Sequence, residues 1–250
     1  MCGRYASSRR PEDLVEEFEV EAVEVPEPLP ADYNVAPTKP VYAVLDRPPR
    51  DGQPDHARPQ RQLRTLRWGL VPFWAKDPGI GSRLINARME TVHEKPAFRQ
   101  AFARRRCLLP ADGYYEWYPT EVRGRNGKPV KQPFFIRPDD GGVLAMAGLY
   151  EIWRDPTRDD QDPQRFTWTC TVLTTSAEDS VGHLHDRMPL LVEPDRYSAW
   201  LDPDPAPVED LVELLVPAAP GRLEAYPVAT TVNNVRNNGP ELLEPLEPTP

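Results

Sequence analysis

The sequence predicts an α+β fold in one domain. Segments with strand character outnumber those with helical character, and the two kinds do not alternate in the regular way a doubly wound sheet requires. The 32 prolines among 250 residues point the same way. Proline is excluded from helix interiors and central strands, so loops and short elements follow rather than a helical bundle. With 39% hydrophobic and 28% charged residues the composition is that of a globular chain.

Taken in order, Ser8 is expected to cap a short helix over 11–18, with Pro11 in its first turn and acids behind it. "VYAVLD" (41–46) reads as a strand, and "RPPRDGQPDHARPQ" (47–60) as a loop by its Pro and Gly content. "LRTLRWGL" (63–70) resumes strand character through alternation. "EKPAFRQAFARRR" (94–106) looks helical, with Pro96 early and the arginines late, where they suit the helix dipole. "RCLLPADGYYEWY" (106–118) reads as two strand pieces broken at Pro110 and Gly113. "PFFIR", "VLAMAGLYEIW" and "RFTWTCTVLTT" are strands between turn-rich loops. "EPDRYSAWL" and "VEDLVELLV" are short helices, and "LEAYPVATTVN" (223–233) is a late strand. No internal repeat is present. The domain is expected to span 2–235, with 236–250 a disordered tail.

No run of eighteen apolar residues marks a membrane span, and the first residues lack a signal-type apolar core. A cytoplasmic protein is the expectation. Cys2, Cys107 and Cys170 form no C-x-x-C pair, which suits a reducing compartment and argues against a thiol zinc site. The net charge of −9 opposes simple nucleic-acid affinity. Its distribution does not, because 56–106 holds twelve Lys or Arg against three acids. That segment reads either as a phosphate-binding face or as a solvated arginine-rich surface.

Five short segments gather the reactive side chains: "CGRY" (2–5), "YNVAPT" (33–38), "INARMET" (85–91), "DGYYEW" (112–117) and "HLHDRMP" (183–189). Cys2 is either an ordinary residue at a frayed end or, once Met1 is removed, an N-terminal nucleophile with amine and thiol on adjacent carbons. Glu116 lies among four aromatics. Partial desolvation would raise its pKa and suit general acid/base work, whereas the bland reading is an exposed strand face. His185 is a candidate proton shuttle. His183 and His185 share one face of an extended segment, but no acidic cluster completes a ligand set, so no metal and no cofactor is expected. Asn86 and Arg88 point to one side and would clamp a phosphate or sugar oxygen, unless they are a backbone cap and a surface arginine. Trp68, Phe73 and Trp74 either stack on bases or fill the core.

"MCGRY", "YNVAPT", "RWGLVPFW", "INARMET", "RRCLLPADGYYEW", "AGLYEIW", "TVLTTSA" and "HDRMP" follow one another across roughly residues 2–192. In this the chain closely resembles the SOS response-associated peptidase (SRAP) domain family, the abasic-site processing proteins. The resemblance implies an α+β domain around a β-barrel-like core of mostly antiparallel strands, acting on abasic sites in single-stranded DNA. It implies loss of Met1, a covalent link to the lesion through Cys2, peptidase-type removal of Met1 and a lyase step. Carried over by residue, Cys2 matches the nucleophile, Asn86 the "NAR" asparagine, Glu116 the "YEW" glutamate and His185 the "HDRMP" histidine. Arg4 and Arg88 match phosphate-holding positions. Trp68, Trp117, Thr174 and Asn34 match positions along the DNA groove. The segment 47–62 is longer and more arginine-rich than the resemblance leads one to expect, and it does not cover the chain beyond about Asn233.

The chemistry so implied is capture of the ring-opened aldehyde by the α-amine, whose reference pKa of ~7.7–8.0 leaves a useful neutral fraction near pH 7.5. The neighbouring thiol then closes a five-membered thiazolidine in an intramolecular step. Two rivals stand beside this reading. One is a glutamine amidotransferase, which also begins Met-Cys-Gly. The other is a non-covalent reader of single-stranded or modified DNA.

Overall fold

The computed structural model describes residues 2–48, 58–177 and 181–247. The described strands are β1 (Tyr5–Ser7), β2 (Ala22–Glu24), β3 (Asp32–Val35), β4 (Pro40–Arg47), β5 (Gln60–Trp68), β6 (Asn86–Arg88) and β7 (Arg106–Ala111). They continue with β8 (Gly113–Arg123), β9 (Pro129–Pro138), β10 (Leu144–Arg154), β11 (Phe166–Ser176), β12 (Arg187–Pro189) and β13 (Leu223–Pro227). Four short helices, α1 (Pro11–Glu17), α2 (Arg99–Arg104), α3 (Tyr197–Leu201) and α4 (Val208–Val212), stand around them. This is the expected α+β domain.

The strand order β5-β4-β7-β10-β11 is antiparallel throughout. A parallel contact, Thr169↔Arg67 and Cys170↔Trp68, joins β11 back to β5 and closes a five-stranded mixed barrel. Closure removes the open edges that an isolated sheet would present. Three short strands attach to it: β2 on β5, and β6 and β12 on β11. The second sheet, β13-β9-β8-β1-β3, is antiparallel and lies against the barrel.

Strand alternation sorts the side chains into three apolar layers. Tyr42, Val44, Leu63 and Leu108 meet Phe18, Phe102 and Trp200 from the helices and their flanks. The alternate set, Val41, Ala43, Leu45, Leu66, Trp68, Cys107 and Leu109, packs with Tyr5, Tyr114 and Ile136 of the second sheet. The far face of that sheet, Ala6, Tyr115 and Phe135, is covered by Val228, Val232 and Leu242.

Several expectations shift for local reasons. Arg10, not Ser8, caps α1: its N–H donates to Asp13 (3.1 Å), while Ser8 N–H is taken by Asp112 (2.7 Å). The helix expected over 94–106 is regular only at 99–104, because Arg106 opens β7 and donates back to the helix-end carbonyls of Phe102 (2.8 Å) and Ala103 (3.0 Å). Pro110 does not break its strand. Beyond the Val44↔Leu108 pair β7 has no second paired strand among the described residues, so the missing N–H is not needed. The break falls at Asp112, and Gly113 is required because a Cβ there would lie 2.4 Å from the Phe135 ring. The expected loop at 47–60 falls mostly outside the described residues. The expected tail is corrected for 236–247: Leu242 is buried, Val228 bridges Pro245, and Leu246 N–H donates to Pro227 (2.8 Å). Apolar side chains at 242 and 243 dock that segment on the second sheet.

Candidate active site

The seam between barrel and second sheet is where the reactive segments meet. Strand β1 pairs with β8 at Tyr5↔Tyr114 and Ala6↔Gly113, and Tyr115 N–H donates to Arg4 O (2.9 Å). The same register, continued one step, sets Glu116 level with Gly3 and so beside Cys2. From the barrel side, β11 carries β6 through Val172↔Asn86, and the Asn86 amide donates to Cys2 O (2.8 Å). Asn86 Oδ1 is buried without a hydrogen-bond partner among the described residues. Past β11 the chain returns with Val181 and Leu184 buried in the second layer, which brings His185 to the start of β12. Four segments far apart in sequence thus reach one place.

Burial sets the electrostatics. Cys2 is wholly buried, and its thiol pKa is pushed up to about 12, first by desolvation and then by the charge of Glu116. Glu116 is 4% exposed, and burial holds its carboxyl above the usual range against the opposing pull of His185 and Lys131. The Tyr114 phenol is raised by burial and by the same two neighbours, Cys2 and Glu116. His185 Nδ1 accepts from Arg187 N–H (2.9 Å) and lies 2.8 Å from the exposed Asp186 carboxylate. The Arg187 N–H and the Asp186 carboxylate both approach the ring at Nδ1.

A neighbouring pair escaped sequence reasoning. Arg187 forms a two-point ion pair with Glu90 (2.6 and 3.0 Å) and donates to Thr174 O (2.5 Å). The pair locks β12, and with it the N–H that holds His185. Both residues lie within segments singled out above, but spacing alone gives no reason to join them.

The groove positions divide. Arg88 is exposed on β6. Arg4 is tied down: it donates to Asn34 Oδ1 (2.6 Å) and Val232 O (2.9 Å), and lies 5.4 Å over the Trp117 ring. Trp117 is half-buried and donates to Asn233 Oδ1 (2.6 Å). Asn34, Trp68 and Thr174, expected along the DNA groove, are wholly buried. Asn34 donates to the carbonyls of Val232, Asn234 and Asn237. Trp68 donates to Ile85 O (2.9 Å) and packs edge-on against Tyr5. Thr174 lies in β11 opposite both Arg88 and Pro189. These three brace the wall behind the site. Phe73 and Trp74, by contrast, are about half exposed, at 48% and 49%.

The basic middle is also mixed. Arg61 is held by Asp46 and Ser198, Arg64 by Glu24, and Arg106 by helix carbonyls. Among the described residues no group of three His, Cys, Asp or Glu is placed to hold a metal, and no helix is long and apolar enough to cross a membrane.

Comparison with known proteins adds the following. The family model described as SOS response associated peptidase (SRAP) matches residues 1–235. The abasic site processing protein YoqW of Bacillus subtilis is 36% identical over 244 residues, covering 98% of this chain and 99% of the relative. The abasic site processing protein HMCES of Gallus gallus is 32% identical over 238 residues, covering 86% of this chain and 66% of that protein. A crystal structure of a Bacteroides thetaiotaomicron protein superposes with a TM-score of 0.74 at 22% identity, over 98% of this chain and all of that one. A phage-related protein from Bordetella bronchiseptica gives 0.64 at 28% identity, over 91% and 94%.

Proposed function

We propose, from the premise that this chain belongs to the SOS response associated peptidase (SRAP) family, that it processes abasic sites in single-stranded DNA during the DNA-damage response by capturing them on Cys2. The relatives at 36% and 32% identity carry the name abasic site processing protein, which supports the substrate class. The single observation behind the covalent reading is the placement of Cys2, held at its carbonyl by Asn86 and lying in the field of Glu116.

Removal of Met1 frees an α-amine next to the thiol. The amine adds to the open-chain aldehyde of the lesion, water leaves, and an imine forms. The thiol then adds to the imine carbon and gives a thiazolidine. A thiol with its pKa raised to about 12 is a poor first nucleophile, so the amine leads and the sulfur follows. Glu116, its carboxyl pKa raised by burial, protonates the departing hydroxyl and then accepts the thiol proton. His185 protonates the sugar ring oxygen and opens the ring. Asn86 fixes the backbone of residue 2, and Arg88 holds a flanking phosphate. For the peptidase step, the same carboxyl would activate a water against the bond after Met1 and pass its proton to the leaving α-amine of Cys2. A lyase step would start from the imine before the sulfur closes: a base takes the C2′ proton, the C3′–O bond breaks, and the 3′-phosphate leaves.

The experiment is incubation of the purified chain with an abasic oligonucleotide, followed by a denaturing gel beside Cys2→Ala. Wild type is expected to give a heat-stable adduct and the variant none; equal adduct from both rejects the mechanism. Binding that salt reverses, with no adduct from wild type, replaces it with a non-covalent reader. Intact mass of the active protein is expected to lack one methionine.

A further inference from the structure

The strands that carry Glu116 and Trp117 do not end at the domain surface. Beyond Trp117 and Pro133, β8 and β9 run on as a two-stranded ribbon. It closes at 124–128, where Gly124 N–H donates to Lys128 O (2.9 Å) and Gly127 takes a φ of 74°. Residues 118–131 are exposed except for the half-buried Thr120 and Gly124. At the root, the Tyr118 ring sits edge-on to Phe134, which anchors the ribbon to the sheet.

This ribbon carries Arg123, Arg125, Lys128 and Lys131 against the one acid Glu121. Among the described residues none of the four cations meets a carboxylate, whereas Arg137, Arg154, Arg158, Arg187 and Arg222 all do. Charges on an exposed edge also deter pairing between copies of a chain. Either sign would serve that end. Four positive charges in fourteen residues of a chain with net −9 need a second reason.

We propose that the 118–131 ribbon is a phosphate-binding arm that holds the DNA flank on one side of the lesion. It rests on the reading of the Cys2 site as a DNA-processing centre. Cys2 lies between β6 and β8. Exposed Arg88 leaves from the β6 side, and the arm leaves from the β8 side, so the two grip opposite flanks of one captured sugar. Lys131 at the root already lies within the field of Glu116. Seven residues separate Glu116 from Arg123, which at about 3.4 Å per residue is a reach of roughly 24 Å. The tip therefore meets the backbone several nucleotides from the lesion. A very short oligonucleotide never reaches it.

The test compares wild type with the full-length triple variant Arg123→Gln, Arg125→Gln, Lys128→Gln. Fluorescence anisotropy is read with undamaged single-stranded DNA of twenty-five and of five nucleotides across a salt series, and capture of abasic DNA of both lengths is read on a denaturing gel. The variant is expected to melt with wild type and to bind and capture the five-mer equally. It should bind the twenty-five-mer about tenfold or more weakly at 0.1 M salt, with a log–log salt slope shallower by about 2, at ~0.7 per lost contact. Equal affinity and slope for the long strand overturn the arm. So does an equal loss for both lengths, which reports only general charge. If wild type captures no DNA of either length, the processing reading fails, while the anisotropy comparison still decides whether the arm holds phosphate.

Discussion

Replacing Asn34 with alanine separates two roles that one position has been given. As a groove residue its loss would weaken DNA binding and leave the fold untouched. As the buried tie seen here, its loss costs stability first. The amide accepts from the Arg4 guanidinium at 2.6 Å and divides its two N–H donors among the carbonyls of Val232 (3.2 Å), Asn234 (3.1 Å) and Asn237 (3.0 Å). A hydrogen bond to a charged group contributes about 1.5–3 kcal/mol and a neutral one about 0.5–1.5. One of the first kind and two of the second give about 4 kcal/mol. For a domain of this size each kcal/mol moves the melting midpoint by about 2–4 °C, so the expected fall is about 8–16 °C. Urea unfolding followed by tryptophan fluorescence measures the free energy, and calorimetry the midpoint. Hydrogen exchange should show 230–238 losing protection before the barrel does. A loss below about 1 kcal/mol, or unchanged stability with weakened DNA binding, refutes the reasoning and restores Asn34 to the DNA face.

Glu116→Gln should slow capture by about 10²-fold in single-turnover assays, the usual worth of a positioned acid/base group. It should also change stability in a pH-dependent direction. Burial raises the folded pKa above the unfolded value, so the wild-type contribution is intact below the unfolded pKa and fades as pH rises through the folded one. The variant should therefore melt higher than wild type at pH 8 and not at pH 4; the opposite order would contradict a desolvated carboxyl. Glu90→Gln removes the partner of Arg187, a side chain only 13% exposed, and should cost about 1–3 kcal/mol in urea unfolding. It should also slow capture through a loosened His185, and a capture rate equal to wild type would detach Glu90 from the site. Gly113→Ala forces a Cβ to within 2.5 Å of Ile136 O and 2.4 Å of the Phe135 ring. It should give insoluble or strongly destabilised protein, and a well-folded variant would show that β8 and β9 can separate locally.

The long strands were legible because their patterns are continuous: 41–46, 143–153 and 165–175 each fall within one observed strand to within a residue or so at either end. The three-residue strands β1, β2, β6 and β12 were not, because so short a span has no period to read. Their order comes from long-range pairing. The same reason governs the site. Cys2, Asn86, Glu116 and His185 stood out as residue types in reactive settings, and the fold brings their segments together. Trp68, Asn34 and Thr174 have the same polar or aromatic character, yet burial gave them structural work. Nothing in a short motif separates a wall from a lining. The C-terminal segment misled through composition: its Pro and Glu content suggested disorder, while Leu242 and Leu243 supplied enough apolar contact to dock it.

The antiparallel pairing of β1 with β8 has a consequence in time. During synthesis Cys2 leaves the ribosome 84 residues ahead of Asn86 and 114 ahead of Glu116. At about 5–20 residues per second, the leading cysteine waits roughly 6–23 s for the strand that will enclose it. Any separate enzyme that trims the first methionine works most easily on the nascent chain in that interval. After it, Cys2 lies inside the folded seam, in the field of the Glu116 carboxyl.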